Sequence, residues 1–250
     1  MRFCLKKEKY EKPVSDAYKA IHLIHNLNGA KCNGNYFNKK CNKKIKNTCV
    51  YKNINIVCEA GSIVGLIGKN GAGKTMLLKS ICGLTSYNDG EIYVMGRKIG
   101  FDVEIPESIG VIIETPGFFP NISAYRNLKY LADIKGRINK EKIKESIEQV
   151  GLSPENRKPV GKYSLGMKQR LGIAQALMED PDILLLDEPM NGLDNRGVAD
   201  VKDILINLKY NDRTIVIASH HKEDIDELCD KVYVMDNGYI IDQYSRMTEI

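Results

Sequence analysis

Apolar residues follow two different periods along the chain. Short runs that are apolar at nearly every position occur at Ser62–Ile67 and Asp182–Leu186. Such runs suit strands buried on both faces of a parallel sheet. Gly90–Val94, Ile109–Ile113, Thr214–Ala218 and Lys231–Met235 are further strand candidates. Val50–Val57 alternates loosely instead, with Ile54 and Ile56 on one face, as in a half-buried strand. Helical patterns lie between them: Thr75–Gly83, Ser123–Ile134, Lys140–Val150, Leu165–Met178, Arg196–Leu208 and Lys222–Cys229. Asn237-Gly238, set between Val232–Met235 and Tyr239–Ile241, predicts a hairpin turn. Strands alternating with helices predict an α/β fold on a mainly parallel sheet. Residues 120–178 are almost all helical in pattern and read as an insert in that core.

The first quarter of the chain has another character. Residues 1–19 are polar and Lys-rich, broken by Pro13, and read as a tail. Ile21–Leu27 suits a short edge strand, and 28–48, dense in Asn, Lys and Gly, reads as a basic, insertion-like loop. The formal charge of the 250 residues is +5, but residues 1–58 hold 13 Lys/Arg against 3 Asp/Glu. The remainder holds 24 against 29, so it is mildly acidic. A uniformly basic, nucleic-acid-binding domain is thereby disfavoured. With 43% hydrophobic and 28% charged residues the composition is that of a globular protein. No apolar run approaches the ~18–20 residues that cross a bilayer, and none near Met1 has signal-peptide length, so a cytosolic location is expected. Five of the seven cysteines (Cys4, Cys32, Cys41, Cys49, Cys58) fall in the basic quarter without a C-x-x-C pair, which favours scattered thiols over a zinc site.

The chemistry lies in the acidic remainder. Gly68-Lys69-Asn70-Gly71-Ala72-Gly73-Lys74-Thr75 fits G-x-x-x-x-G-K-[ST] between an apolar strand and a helix. Glycines let the backbone curl around a phosphate with its N–H groups turned inward, and the helix N-terminus attracts the anion. Lys74 supplies charge to the β- and γ-phosphates; Thr75 offers a hydroxyl to Mg²⁺. Asp187-Glu188 ends the strand Asp182–Leu186, where open α/β sheets bind ligands. Asp187 suits Mg²⁺, and Glu188 suits a base polarising the attacking water. His220, with His221 beside it, follows Thr214–Ala218 and matches a γ-phosphate sensor.

A further segment, Tyr163-Ser164-Leu165-Gly166-Met167-Lys168-Gln169-Arg170-Leu171, resembles the signature of ATP-binding-cassette (ABC) ATPases. Gly192-Leu193-Asp194 resembles their D-loop, and Ser219-His220 their switch histidine, which favours His220 over His221. With the phosphate loop and Asp187-Glu188 these motifs cover about residues 49–240. The resemblance implies a P-loop NTPase core, an N-terminal antiparallel β part and a helical insert, with 20–250 as a single domain. It further implies ATP and Mg²⁺ as ligands and a head-to-tail dimer with a second ATPase subunit. ATP would then touch Gly68, Asn70, Gly71, Gly73, Lys74 and Thr75 of one subunit and Ser164, Gly166 and Asp194 of the other. A separate transmembrane permease is implied as partner, with the chain peripheral on the cytoplasmic face of the membrane and no nucleic acid bound.

Departures from the family pattern narrow the resemblance. Leu165 and Met167 replace a glycine and a glutamine of the usual signature. Glu114, before Thr115-Pro116-Gly117-Phe118, stands where a glutamine usually reaches Mg²⁺. Both features are similar to the ATPases of bacitracin-type and lantibiotic-immunity exporters. Glu114 either reaches Mg²⁺ or only caps its loop. The aromatic that usually stacks on adenine is missing near Ile45 and Lys46, leaving Tyr36, Phe37 and Tyr51 as candidates. Phe118, Phe119 and Tyr125 either pack within the insert or dock a permease helix. The rival function is a non-transport ABC ATPase acting on the ribosome or nucleic acid, prompted by the basic first quarter.

Overall fold

A computed structural model describes residues 34–246 apart from 46–47, 115–116 and 211–212, with the backbone alone over 34–39. The tail expected at 1–19, the strand expected at Ile21–Leu27, Cys4 and Cys32 lie outside the described residues. Five strands form a parallel array: β3 (Ile63–Ile67), β6 (Ile109–Ile112), β7 (Ile183–Asp187), β8 (Thr214–Ser219) and β9 (Lys231–Asp236). With antiparallel β10 (Tyr239–Ser245) they make a six-stranded sheet of order β10-β9-β3-β8-β7-β6. The Asn237-Gly238 turn joins β9 to β10, with Asn237 and Gly238 at φ of 46° and 81°. That is the left-handed pair that a tight hairpin needs.

β3, β7 and β8 are buried throughout, yet their side chains still alternate between two cores. Ile63, Ile67, Leu184, Leu186, Ile215 and Ile217 enter one core with α2 (Ala124–Lys135), α3 (Lys140–Gln149), α4 (Leu165–Leu177), α5 (Asn195–Lys209) and α6 (Lys222–Leu228). Val64, Leu66, Ile183, Leu185, Val216 and Ala218 enter the other with α1 (Lys74–Ile81) and a second sheet. Gly65 and Gly110 allow the first core to close. A Cβ on Gly65 would lie 2.4 Å from Ile225 Cγ2, and one on Gly110 would lie 2.2 Å from the Ala176 carbonyl.

The second sheet corrects the sequence reading. Residues 34–45 are not a loop but β1 (Gly34–Ile45), an inner strand of an antiparallel sheet ordered β2-β1-β4-β5. Its neighbours are β2 (Thr48–Glu59), β4 (Asp89–Val94) and the two-residue β5 (Arg97–Lys98). The alternation of β1 is hidden because Lys43 takes an inward position: it is 8% exposed. Its ammonium donates to Thr85 Oγ1 at 3.1 Å and to the Ser86 carbonyl, satisfying the buried charge with polar loop atoms. Register shifts along β1 blur the period further.

Among the described cysteines, Cys41, Cys58, Cys82 and Cys229 are buried free thiols and Cys49 is exposed. Burial pushes the Cys41 thiol up to about 11. Among the described residues no helix is long and apolar enough to cross a membrane.

Candidate functional site

The site forms where β3, β7 and β8 end together. Between β3 and α1 the chain turns through Gly71 and Gly73 at φ of 84° and 102°, values that glycine adopts freely. A Cβ on Gly68 would lie 2.3 Å from the Met235 carbonyl, and one on Gly73 would lie 2.8 Å from the Val50 carbonyl. Gly73 caps α1 without a side chain, and no acid stands in the first turn, so the helix N-terminus keeps its N–H groups and positive dipole end. Asn70 lies exposed on the loop. Lys74 is 5% exposed; its Nζ donates to the Gly68 carbonyl at 2.6 Å and lies 3.6 Å from Glu188 Oε1.

Asp187 closes β7, where Thr75 Oγ1 donates to its Oδ2 at 2.7 Å. Its Oδ1 is buried and accepts no hydrogen bond. Burial raises the Asp187 carboxyl above its usual range, and the Thr75 bond offsets this in part. A hydroxyl beside a buried, half-satisfied carboxylate fits Mg²⁺, a hard cation that prefers oxygen donors. Glu188 adopts φ of 50°, a left-handed conformation costly for a non-glycine residue. Its N–H is fixed by the Ala218 carbonyl at 2.8 Å, and its Oε2 lies 2.9 Å from His220 Nδ1. His221 does not join this contact; its ring lies tilted by 39° against that of His220, with centroids 4.0 Å apart.

The remaining expected residues divide. Glu114 is exposed, and its Oε1 pairs with Lys79 Nζ at 2.6 Å. That ion pair holds the carboxyl below its usual range. Lys79 was not singled out from the sequence, although it follows Thr75 by one helical turn. Ser164 and Gly166 begin α4: Ser164 Oγ accepts from the Met167 N–H at 3.2 Å. Asp194 caps α5, its Oδ1 accepting from the Gly197 N–H at 2.8 Å. Tyr51 drops out as an adenine platform, because it is fully buried with its hydroxyl donating to Ser80 Oγ at 2.7 Å. The side chains of Tyr36 and Phe37 lie outside the description. Phe118 and Tyr125 pack against the first core. Phe119 stays 62% exposed, its ring edge-on to Tyr130 at 6.1 Å. The backbone of Phe119 is pinned by buried Asn127, whose Oδ1 accepts from its N–H at 2.7 Å.

Comparison with known proteins adds to this geometry. Residues 51–191 match the family described as ABC transporter. An uncharacterized ABC transporter ATP-binding protein of Bacillus subtilis, YybJ, is 50% identical over 196 residues, 78% of this chain and 90% of that protein. The bacitracin transport ATP-binding protein BcrA of Enterococcus faecalis is 40% identical over 203 residues, 80% of this chain and 66% of its own length. The lantibiotic transport ATP-binding protein SrtF of Streptococcus pyogenes is 38% identical over 192 residues, 77% of this chain and 82% of that protein. Among solved structures, cbiO1 from Clostridium perfringens, part of the ABC transporter complex cbiONQ, superposes with a TM-score of 0.77 at 27% identity, covering 85% of this chain and 89% of that one. The dimeric cassette MJ0796 shares the fold with a TM-score of 0.75 at 21% identity, covering 84% and 98%.

Proposed function

Because this chain belongs to the ABC transporter family, as an ATP-binding and ATP-hydrolysing subunit, we propose that it powers export of a bacitracin- or lantibiotic-like peptide through a separate membrane permease. The observation that carries the catalytic part is the meeting of Lys74, Thr75, Asp187, Glu188 and His220 at the ends of three parallel strands. Mg²⁺, when bound, would screen the β- and γ-phosphates and offset charge on the leaving group. Gly68, Asn70, Gly71 and Gly73 place the phosphate loop around ATP, and Lys74 gives up its loop carbonyl for the phosphates. Thr75 and Asp187 present the metal-holding oxygens. Glu188 takes the proton of the attacking water, while His220 holds that carboxylate in place and senses the γ-phosphate. Glu114, exposed and paired with Lys79, would be a further oxygen donor to the metal.

Ser164, Gly166 and Asp194 belong, on this reading, to the second half of the site. They stand at the N-termini of α4 and α5, and α4 carries no acid in its first turn. Head-to-tail pairing would turn them toward ATP on the partner subunit. We assign residues 20–250 to one ATPase domain, 120–178 to its helical part, and the protein to the cytoplasmic face of the membrane beneath the permease. The named relatives are transport proteins, which supports this reading over action on the ribosome or nucleic acid.

The test is Glu188→Gln. Loss of a general base typically lowers turnover ~10²–10⁴-fold. Phosphate release should fall by that order, and an ATP-stabilised dimer should accumulate on size exclusion. Turnover at the parent rate removes Glu188 from its role. Recovery of the chain from membranes without any polytopic partner removes the transport reading.

A further inference from the structure

Tyr51, excluded as a base platform by its burial, lies instead along the helix that follows the phosphate loop. A Cβ on Gly73, the N-cap of α1, would lie 3.6 Å from Tyr51 Cβ. At the far end of the side chain the hydroxyl donates to Ser80 Oγ at 2.7 Å. Gly73 and Ser80 stand almost two helical turns apart, so one side chain meets α1 near both of its ends. Tyr51 and Ser80 are both fully buried. Ser80 Oγ in turn donates to the Met76 carbonyl at 3.1 Å, one turn nearer the loop. Cys41 Sγ, 3.8 Å away, is a weaker neighbour of the Tyr51 hydroxyl. Burial pushes that hydroxyl up, so it stays a neutral donor. The backbone around Tyr51 grips the loop itself. The Val50 carbonyl would lie 2.8 Å from a Cβ on Gly73 and 2.5 Å from one on Gly238. The Lys52 N–H donates to the Gly238 carbonyl at 2.8 Å, and the Gly238 N–H donates to the Ala72 carbonyl at 3.2 Å. Three segments distant in sequence thus close on one another: Val50–Lys52 of β2, the turn at Gly238, and Ala72-Gly73 of the phosphate loop.

We propose that Tyr51 is a positioning residue for phosphate binding: it sets where α1 and its N-terminus stand behind the loop, and so how tightly a polyphosphate is held. The proposal rests on the reading of residues 68–75 as the phosphate cradle. Its physical basis is preorganisation. Backbone N–H groups and the Lys74 ammonium hold an anion best when they converge on it before it arrives and need no further ordering. Apolar packing alone would let α1 slide on its neighbours. The Tyr51 hydroxyl adds a directional tie, because a shift of α1 would leave a buried donor without its acceptor. Being fully buried, Tyr51 acts through α1 and not on the nucleotide itself.

Titration of the full chain with a fluorescent ATP analogue, and displacement of that analogue by tripolyphosphate, test this well below each variant's melting temperature. Tyr51→Phe keeps the ring and loses the tie. It should bind both probes at least about threefold more weakly, within the reach of one neutral hydrogen bond. Ser80→Ala, at a helix position that alanine favours, should do the same and carries the test alone if Tyr51→Phe does not fold. The double variant should bind within about twofold of the weaker single variant, since both changes remove one tie. Unchanged affinity in a folded single variant overturns the proposal, because a purely structural role lowers the melting temperature without moving affinity. Weakening of the ATP analogue with tripolyphosphate unaffected also overturns it, as do losses that multiply in the double variant. Lys74→Ala tests the cradle separately. If it holds tripolyphosphate as tightly as the unsubstituted chain, the cradle and the proposal fall together. A loss in Lys74→Ala without one in Tyr51→Phe or Ser80→Ala overturns the proposal alone.

Discussion

At the residue scale, Asp187 meets two opposed demands. Its carboxyl is raised in the folded chain, chiefly by burial. The native state therefore keeps that proton to a higher pH than the unfolded state, and ionisation at neutral pH costs stability. The cost is relieved as pH falls through the folded value, and it disappears below the unfolded one. Asp187→Asn should accordingly raise the melting temperature of the nucleotide-free protein at neutral pH, by ~2–4 °C for each kcal/mol recovered. The same substitution should lower Mg-ATP hydrolysis. Calorimetry showing an unchanged or lower melting temperature would refute the burial argument. Asp187, Glu188 and His220 were legible because each ends or closely follows an apolar strand. The Lys79–Glu114 ion pair was not, because it joins residues 35 positions apart on different elements. The burial of Tyr51 was equally hidden, since an aromatic in an alternating strand faces core or solvent according to a register that depends on its neighbour.

The elements show where periodicity is enough and where packing intervenes. Strands β3, β7 and β8 and helices α2–α6 fall within a residue or two of their apolar patterns. β1 escaped because a lysine fills an inward position and satisfies its charge on the Thr85–Ser86 loop. The contact of α4 with β6 depends on Gly110. Gly110→Ala would drive a Cβ to 2.2 Å from the Ala176 carbonyl and 2.8 Å from Leu184 Cδ2. Neither backbone nor strand can yield cheaply, so a loss of ~1–3 kcal/mol is expected in urea unfolding. A loss under about 0.5 kcal/mol, the range of ordinary surface changes, would mean that α4 shifts freely on the sheet. The signature segment is also an element terminus: Ser164 caps α4, and Leu165 lies over Gly192, the point a Cβ on that glycine would meet at 3.0 Å.

On the scale of the whole molecule, the two cores hold the parallel strands level, so that the phosphate loop, Asp187-Glu188 and Ser219-His220 emerge at one edge. Leu165 remains 48% exposed at the start of α4. On the head-to-tail reading, a carboxylate there would face the phosphates held by the partner. Leu165→Asp in a Glu188→Gln background should weaken ATP-dependent dimerisation at least tenfold by sedimentation, with nucleotide affinity of the single subunit unchanged. Equal dimerisation would place the interface elsewhere. The sequence by itself determined the class of fold, the family and the phosphate chemistry, because glycine spacing, strand-end acids and apolar periods are local properties of the chain. Only the tertiary structure decided which inward positions carry charge, which aromatics are buried and what Glu114 touches. Those outcomes depend on strand register and on groups brought together from distant parts of the sequence, and no local period records them.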